Sequence, residues 1–238
     1  MSMPNNNLNF GILDAAQPYL KDEFAKYGNL INFTKDDNPF YVDNTLDYFY
    51  IIASGKVKIY DINFETNREQ TLYMLVRGDM FDVITLLDNK EHNLASDVLE
   101  DGVAIRFPID KVREWIDKFP DFKQLIFKYV ATQMRSVEEL AVDLSLHDTK
   151  ERLLKLLLKN IEIFDKRGVD ILSKLSHTEI ANLIGTVRHI IDRHIKELKQ
   201  DGILEDKKRA ISLKNAKKVL ELLKSYWNDS YFLRVKRL

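Results

Sequence analysis

Residues 176–204 read "SHTEIANLIGTVRHIIDRHIKELKQDGIL", and this stretch decides how the C-terminal part of the chain folds. Ser176 and Glu179 form a Ser-x-x-Glu capping box, which predicts a short helix from His177 to about Ile184. Gly185 ends it, Thr186 is placed to cap a second helix that runs to about Gln200, and Gly202 stands where a helix C-terminal glycine belongs. In the second helix Ile191, Ile195 and Leu198 fall at i, i+4 and i+7 and face inward onto Ile180, Leu183 and Ile184. The opposite face keeps Val187, Arg188, His189, Asp192, Arg193 and Lys196 beside Thr186. An arginine in the first turn of such a helix can pair bidentately with guanine O6 and N7 in a major groove. "ILEDKKRAISL", residues 203–213, then alternates around a charged turn, as expected of a two-stranded wing whose Lys207, Lys208 and Arg209 touch phosphates. The predicted partner is double-stranded DNA.

Charge patterning points the same way. Residues 1–148 hold 15 Lys and Arg against 25 Asp and Glu, and residues 149–238 hold 21 against 12. Charges of −10 and +9 therefore hide inside a net charge of −1. An acidic half beside a basic half suits a nucleic-acid-facing module next to one that avoids nucleic acid. The 238 residues, 45% of them hydrophobic, suffice for two cores. No run approaches the roughly 18 apolar residues of a membrane span, and "MSMPNNNLNF" lacks a basic region followed by an apolar one, so a cytoplasmic chain is expected. With no cysteine, disulfides, thiolate nucleophiles, iron–sulfur clusters and cysteine-held zinc are excluded. The five histidines form no metal-binding spacing, and neither a nucleophile elbow nor a phosphate-binding loop occurs, which argues against an enzyme.

Working outward, residues 31–109 break into β-rich runs bounded by Gly, Asp or Asn: "YFYIIASGKVKIYDI", "REQTLYMLVRGDMF" and "LASDVLEDGVAIRFP". Such runs predict a compact antiparallel roll, with a short helix over residues 15–27 packed on it. Phe119-Pro120-Asp121 then starts a long helix. Along it Ile126, Val130, Gln133, Val137, Leu140, Leu144 and His147 are spaced 4, 3, 4, 3, 4 and 3, the heptad pattern of a coiled-coil contact, while Phe122, Leu125 and Tyr129 face the roll. A partner helix from a second copy is expected. Thr149–Phe164 is a further amphipathic helix. The predicted fold is α+β, with a jelly-roll-like β-roll sensor domain over 1–118, a dimerisation helix over 119–148, and a winged helix-turn-helix over 149–238. The last includes a C-terminal extension after Leu213 with a helix and a basic tail at Arg234, Lys236 and Arg237.

This order of parts resembles the bacterial Crp/Fnr regulators, named for the cyclic-AMP receptor protein and the fumarate and nitrate regulator. The resemblance covers roughly residues 30–213. It is carried by Glu179, Ile180, Gly185, Arg188, Arg193, Lys196 and Leu198 in the helix pair, and by Gly55, Gly78 and Asp79 in the roll. It implies a homodimeric transcription regulator with a cyclic-nucleotide-binding-like domain. Such a protein binds a two-fold symmetric DNA site and works with RNA polymerase, with Arg188, His189 and Arg193 at the base-reading positions. His189 stands where the family commonly has glutamate and Val187 where it has serine or threonine, so a different half-site is implied.

In the family's cyclic-nucleotide members a Gly-Glu pair and an Arg-Ser pair hold ribose and phosphate. Here the matching positions count to Asp82 and Val83, and to Asn93 and Leu94, while the adenine-contacting pair aligns with Val137 and Glu138. A buried cyclic phosphate without a cation costs several kcal/mol, so cyclic AMP is not expected. No cofactor is predicted. Haem stays open through His92, with His147 as a second histidine, as does a module that has lost DNA binding and acts through its effector or protein partners.

Overall fold

The computed structural model describes residues 18–207, 210–213 and 215–226. The chain divides into two compact units, residues 1–67 with 71–138, and residues 68–70 with 139–238.

In the first unit α1 (Pro18–Tyr27) leads into β1 (Asn29–Phe33), α2 (Val42–Asp47) and β2 (Tyr48–Asn63). β3 (Arg68–Leu75), β4 (Met80–Phe81), α3 (Val83–Asp88), β5 (Ala95–Pro108), α4 (Ile109–Lys118) and α5 (Pro120–Leu146) follow. The strands lie in the order β1-β5-β2-β3, with β4 paired to β2. β1 and β5 run antiparallel with Asn29 opposite Arg106, and β5 pairs antiparallel with β2 from Tyr48–Pro108 to Tyr60–Ala95. Strand alternation sends successive side chains of β2 to opposite faces, and both faces are buried. Phe49 and Ile51 join Leu20, Phe24, Trp115 and Phe122 in a core shared with the helices. Tyr50 and Ile52 join Phe33, Phe40, Val57 and Ile59 inside the roll. Phe24, Phe107, Trp115 and Phe122 meet edge-on or tilted, with centroids 5.1–6.2 Å apart.

The long helix departs from the expected seam. Ile126 is 0% exposed and sits in the sensor unit's own core, beside Phe122 and Tyr129. His147 lies just past the helix end and is tied to Glu151, Nδ1 to Oε1 at 2.6 Å. Neither is free to face a second helix. The exposed apolar positions begin one residue later, at Phe127 (55%) and Met134 (60%). Both rows fit a heptad because the helix is apolar on two sides. Burial then takes Ile126 out of the expected row and gives it to the roll, while Val137 and Leu144 of that row stay exposed.

The second unit follows the opening stretch closely. α6 (Thr149–Arg167) is capped by Asp148, whose carboxylate accepts from the amides of Lys150 and Glu151. α7 (His177–Leu183) has the capping box of Ser176 and Glu179 with both halves formed. Gly185 takes φ +66°, which glycine adopts freely, and α8 (Arg188–Gln200) begins beyond it. The N-cap of α8 is Val187 with no side-chain cap. Thr186, expected there, instead donates its amide to the Ala181 carbonyl within the turn. β6 (Leu204–Lys207) and β7 (Ala210–Leu213) pair antiparallel as the wing, and α9 (Ala216–Tyr226) follows. Lys208, Arg209 and the basic tail lie outside the described residues, as does the opening "MSMPNNNLNF".

Candidate functional site

Two sites stand out, one in each unit. In the second, Ile191, Ile195 and Leu198 bury the inner face of α8, so that Val187, Arg188, His189, Asp192, Arg193 and Lys196 are all exposed on one ridge. The Arg188 side chain is 71% exposed, and its Nε lies 3.6 Å from Asp192 Oδ2. Asp192 also accepts from the His177 ring at the start of α7, and that bond, with the nearby cations, holds its carboxyl below the usual range. Asp192 thus orients Arg188 one turn before it on the helix.

The ridge is anchored from α6 by residues that sequence reasoning did not single out. Arg152 Nη1 donates to the Ile184 carbonyl at 2.6 Å and lies 3.5 Å from that of Gly185, filling orphan acceptors at the helix-turn-helix corner. His194 is buried in α8 and shares a 2.8 Å hydrogen bond with the Thr149 hydroxyl, while Lys150 Nζ meets Glu197 at 3.1 Å. Burial lowers the His194 pKa, so the ring stays neutral against Thr149. An arginine or histidine on a helix face otherwise given to leucines is the signal that could have revealed them.

The sensor unit holds a cavity of about 330 Å³ between β3, α3 and α5. Leu75, Met80, Val83, Val130, Met134 and Val137 make its apolar wall. Its polar groups are Tyr73, Asp82, His92, Tyr129, Gln133 and Glu138, and no lysine or arginine lines it among the described residues. Asp82, Val83, Val137 and Glu138 all line it. Asn93 and Leu94 do not: Asn93 is exposed and Leu94 packs against the roll's inner core. His92, one residue earlier, enters in their place. The chain turns through Asn89 in the left-handed region at the end of α3, before this segment.

Asp82 is 3% exposed and fully engaged. Its Oδ1 accepts from the Ile84 amide at 2.9 Å as the cap of α3, and its Oδ2 takes the Thr85 hydroxyl at 3.1 Å and His92 Nδ1 at 2.6 Å. A carboxylate only accepts, so His92 Nδ1 carries the shared proton. That bond outweighs burial and raises the His92 pKa. Burial, and then the Asp82 charge, raise the pKa of Tyr73, whose hydroxyl stays protonated. Tyr129 Oη bridges the backbone of Met80, accepting from its amide and donating to its carbonyl, each at 3.0 Å, and so fixes the floor of the cavity.

A roll of this topology joined to a winged helix-turn-helix defines a DNA-binding regulator with a sensor domain. Residues 30–119 match the cyclic nucleotide-binding domain and residues 151–222 the Crp-like helix-turn-helix domain. The chain belongs to the Crp/Fnr family of transcription regulators, and is not an enzyme. It is 22% identical over 212 residues to the CRP-like cAMP-activated global transcriptional regulator of Mycobacterium tuberculosis, covering 88% of this chain and 94% of that one. It is 26% identical over 188 residues to the anaerobic regulatory protein of Aggregatibacter actinomycetemcomitans, covering 77% and 72%. FixK2 from Bradyrhizobium japonicum shares the fold with a TM-score of 0.71 at 21% identity, over 82% of this chain and 96% of that structure. Among the described residues no helix is long and apolar enough to cross a membrane.

Proposed function

We propose that the chain acts as a homodimer that reads a two-fold symmetric DNA site, under the control of an effector in the sensor cavity that is not a cyclic nucleotide. The single observation that carries the DNA reading is the exposed ridge on α8, with Arg188 oriented by Asp192 near its N-terminus. Arg188, His189 and Arg193 are the proposed base readers. Val187, Thr186 and Lys196 flank them, and Lys207, Lys208 and Arg209 are assigned to phosphates by their place in the wing sequence. RNA polymerase is the partner that the family implies.

For the dimer, Val130, Val137 and Leu144 of the row first expected are kept, and Phe127, Met134 and Ala141 take the places of Ile126, Gln133, Leu140 and His147. The proposed row is spaced 3, 4, 3, 4 and 3, and all of it but the partly buried Val130 is exposed. Against a cyclic nucleotide stands the cavity wall, which among the described residues offers a phosphodiester no lysine or arginine and instead presents the carboxylates of Asp82 and Glu138. Selection of bound sequences from random duplex DNA tests the reading. A symmetric consensus is expected, and recovery of no sequence over background would leave a module that no longer binds DNA. Calorimetry with cyclic AMP and cyclic GMP is expected to give no specific heat.

A further inference from the structure

We infer that the sensor cavity takes a small apolar organic acid, a monocarboxylate or phenolate, whose anionic oxygens accept from His92 Nε2. This deepens the reading of the cavity as the effector site and rests on it. The apolar wall of Leu75, Met80, Val83, Val130, Met134 and Val137 sets the body of the ligand, and a cavity of about 330 Å³ limits it to a compact one. The polar end sets the head. Asp82 is the group at the position where the family's sugar-binding pair falls. Its two oxygens already accept from Ile84, Thr85 and His92 and the residue is 3% exposed, which leaves little of it to a ligand hydroxyl.

What Asp82 does instead is hold His92. With Nδ1 committed to the carboxylate, Nε2 is the ring nitrogen left to a ligand, and once the ring is protonated it is a charged donor on the cavity wall. A donor that carries charge and sits beside apolar walls selects an acceptor that carries the opposite charge. A phosphate monoester or diester has more oxygens than one imidazolium can serve, so its remainder would be stranded against aliphatic carbon. A single carboxylate or phenolate matches, and the protonated Tyr73 hydroxyl is a second donor on the same wall.

The other charges around His92 set the pH behaviour. Asp82 at the α3 cap, Asp88 at the end of that helix and the exposed Glu138 on α5 are acidic, and burial keeps the Tyr73 hydroxyl protonated. The acidic groups favour the imidazolium. Acid binding is therefore strongest at low pH and falls as His92 loses its proton above its ordinary value of 6.5.

The experiment is calorimetry on the full chain with benzoate and the straight-chain monocarboxylates from butanoate to decanoate. Benzamide and hexanamide serve as uncharged counterparts, and inorganic phosphate, cyclic AMP and haemin as controls. At least one acid is expected to bind at one site per chain and at least tenfold more tightly than its amide. H92Q is expected to weaken it at least tenfold and to abolish the pH dependence. Ile84 lines the cavity yet is exposed, so Ile84→Trp can fill the mouth without disturbing the core, and it too should block binding. Equal binding of acid and amide overturns the inference, as does an unchanged affinity in H92Q, or binding of no acid while the selected DNA site is still bound. Loss of all DNA binding in the native chain instead overturns the proposed function. Stoichiometric haemin binding with a Soret shift that H92Q removes assigns the histidine to haem and ends the acid reading.

Discussion

The ridge on α8 and the cavity of the sensor unit put the same kinds of side chain to opposite use. On the ridge, Arg188 and Asp192 are exposed, their 3.6 Å pairing is weakly held in water, and the cation can exchange its partner for a base edge or phosphate. In the cavity, Asp82 is buried, engaged by three donors, and committed to one geometry. Exposure thus makes the DNA unit adaptable to sequence, whereas burial makes the sensor unit selective for a ligand head. The departures from the family's pattern follow that division. His189 and Val187 lie on the exposed ridge proposed to read DNA, away from the buried Ile191, Ile195 and Leu198.

The largest expected effect tests which face of α5 belongs to which body. Met134→Glu with Leu144→Glu places like charges against each other across the proposed two-fold, a cost of several kcal/mol, and sedimentation should show a monomer. Ile126→Ala should do the reverse. It opens a hole in the sensor core, costs about 2–5 kcal/mol in unfolding, and leaves the dimer in place. A dimer that survives the double glutamate would overturn the proposed seam, and one that dissolves with Ile126→Ala would return Ile126 to it.

How much could be read without the structure divides along the same line. The helix pair was legible because its signals are local: the capping box, the glycine at 185 and the apolar period of Ile191, Ile195 and Leu198 all act within a few residues. The wing and the roll's strands were legible from alternation and turns. The cavity was not, since Asp82, His92, Tyr129 and Gln133 come from separate parts of the chain and His92, not the counted Asn93 and Leu94, lines it. Nor could a heptad on a helix with two apolar sides say which row stays with its own core. Arg152 was missed for the same reason, as its partners are the carbonyls of a corner more than 30 residues on.

Arg188→Ala sharpens the DNA side of the comparison. It should cost about 1–3 kcal/mol per half-site on the selected sequence and relax the preference at one base pair. Binding isotherms on the selected and on a scrambled duplex check this. An equal loss on both would make Arg188 a phosphate contact.

The half-buried His92 and the buried His194 give a smaller effect of opposite sign. His92, paired with a carboxylate, has a raised pKa. It binds more protons folded than unfolded, so its contribution is fully present below about 6.5 and is lost as pH rises through the raised value. His194, desolvated and facing Thr149, has a lowered pKa, so its contribution holds above 6.5 and is lost as pH falls below it. Melting curves of the full chain from about pH 5 to 8 should show H92Q flattening the alkaline side and H194Q the acidic side. The same change in both variants would mean that the two sites do not titrate separately.

The smallest expected effect isolates pure charge. Lys196 is exposed on α8, two turns beyond Arg188, and makes no ion pair among the described residues, so its cation is available to a phosphate without first leaving a partner. Each phosphate neutralised releases about 0.9 of a counterion from duplex DNA. Lys196→Ala should therefore weaken binding to the selected and scrambled duplexes alike, and reduce the slope of log affinity against log salt by about one unit for each subunit in contact. Arg188→Ala separates the two duplexes and Lys196→Ala does not, so the pair tells base reading from phosphate holding on a single helix. Titrations over a range of salt read both. An unaltered slope would place Lys196 off the DNA and turn the ridge about the α8 axis toward His189 and Asp192.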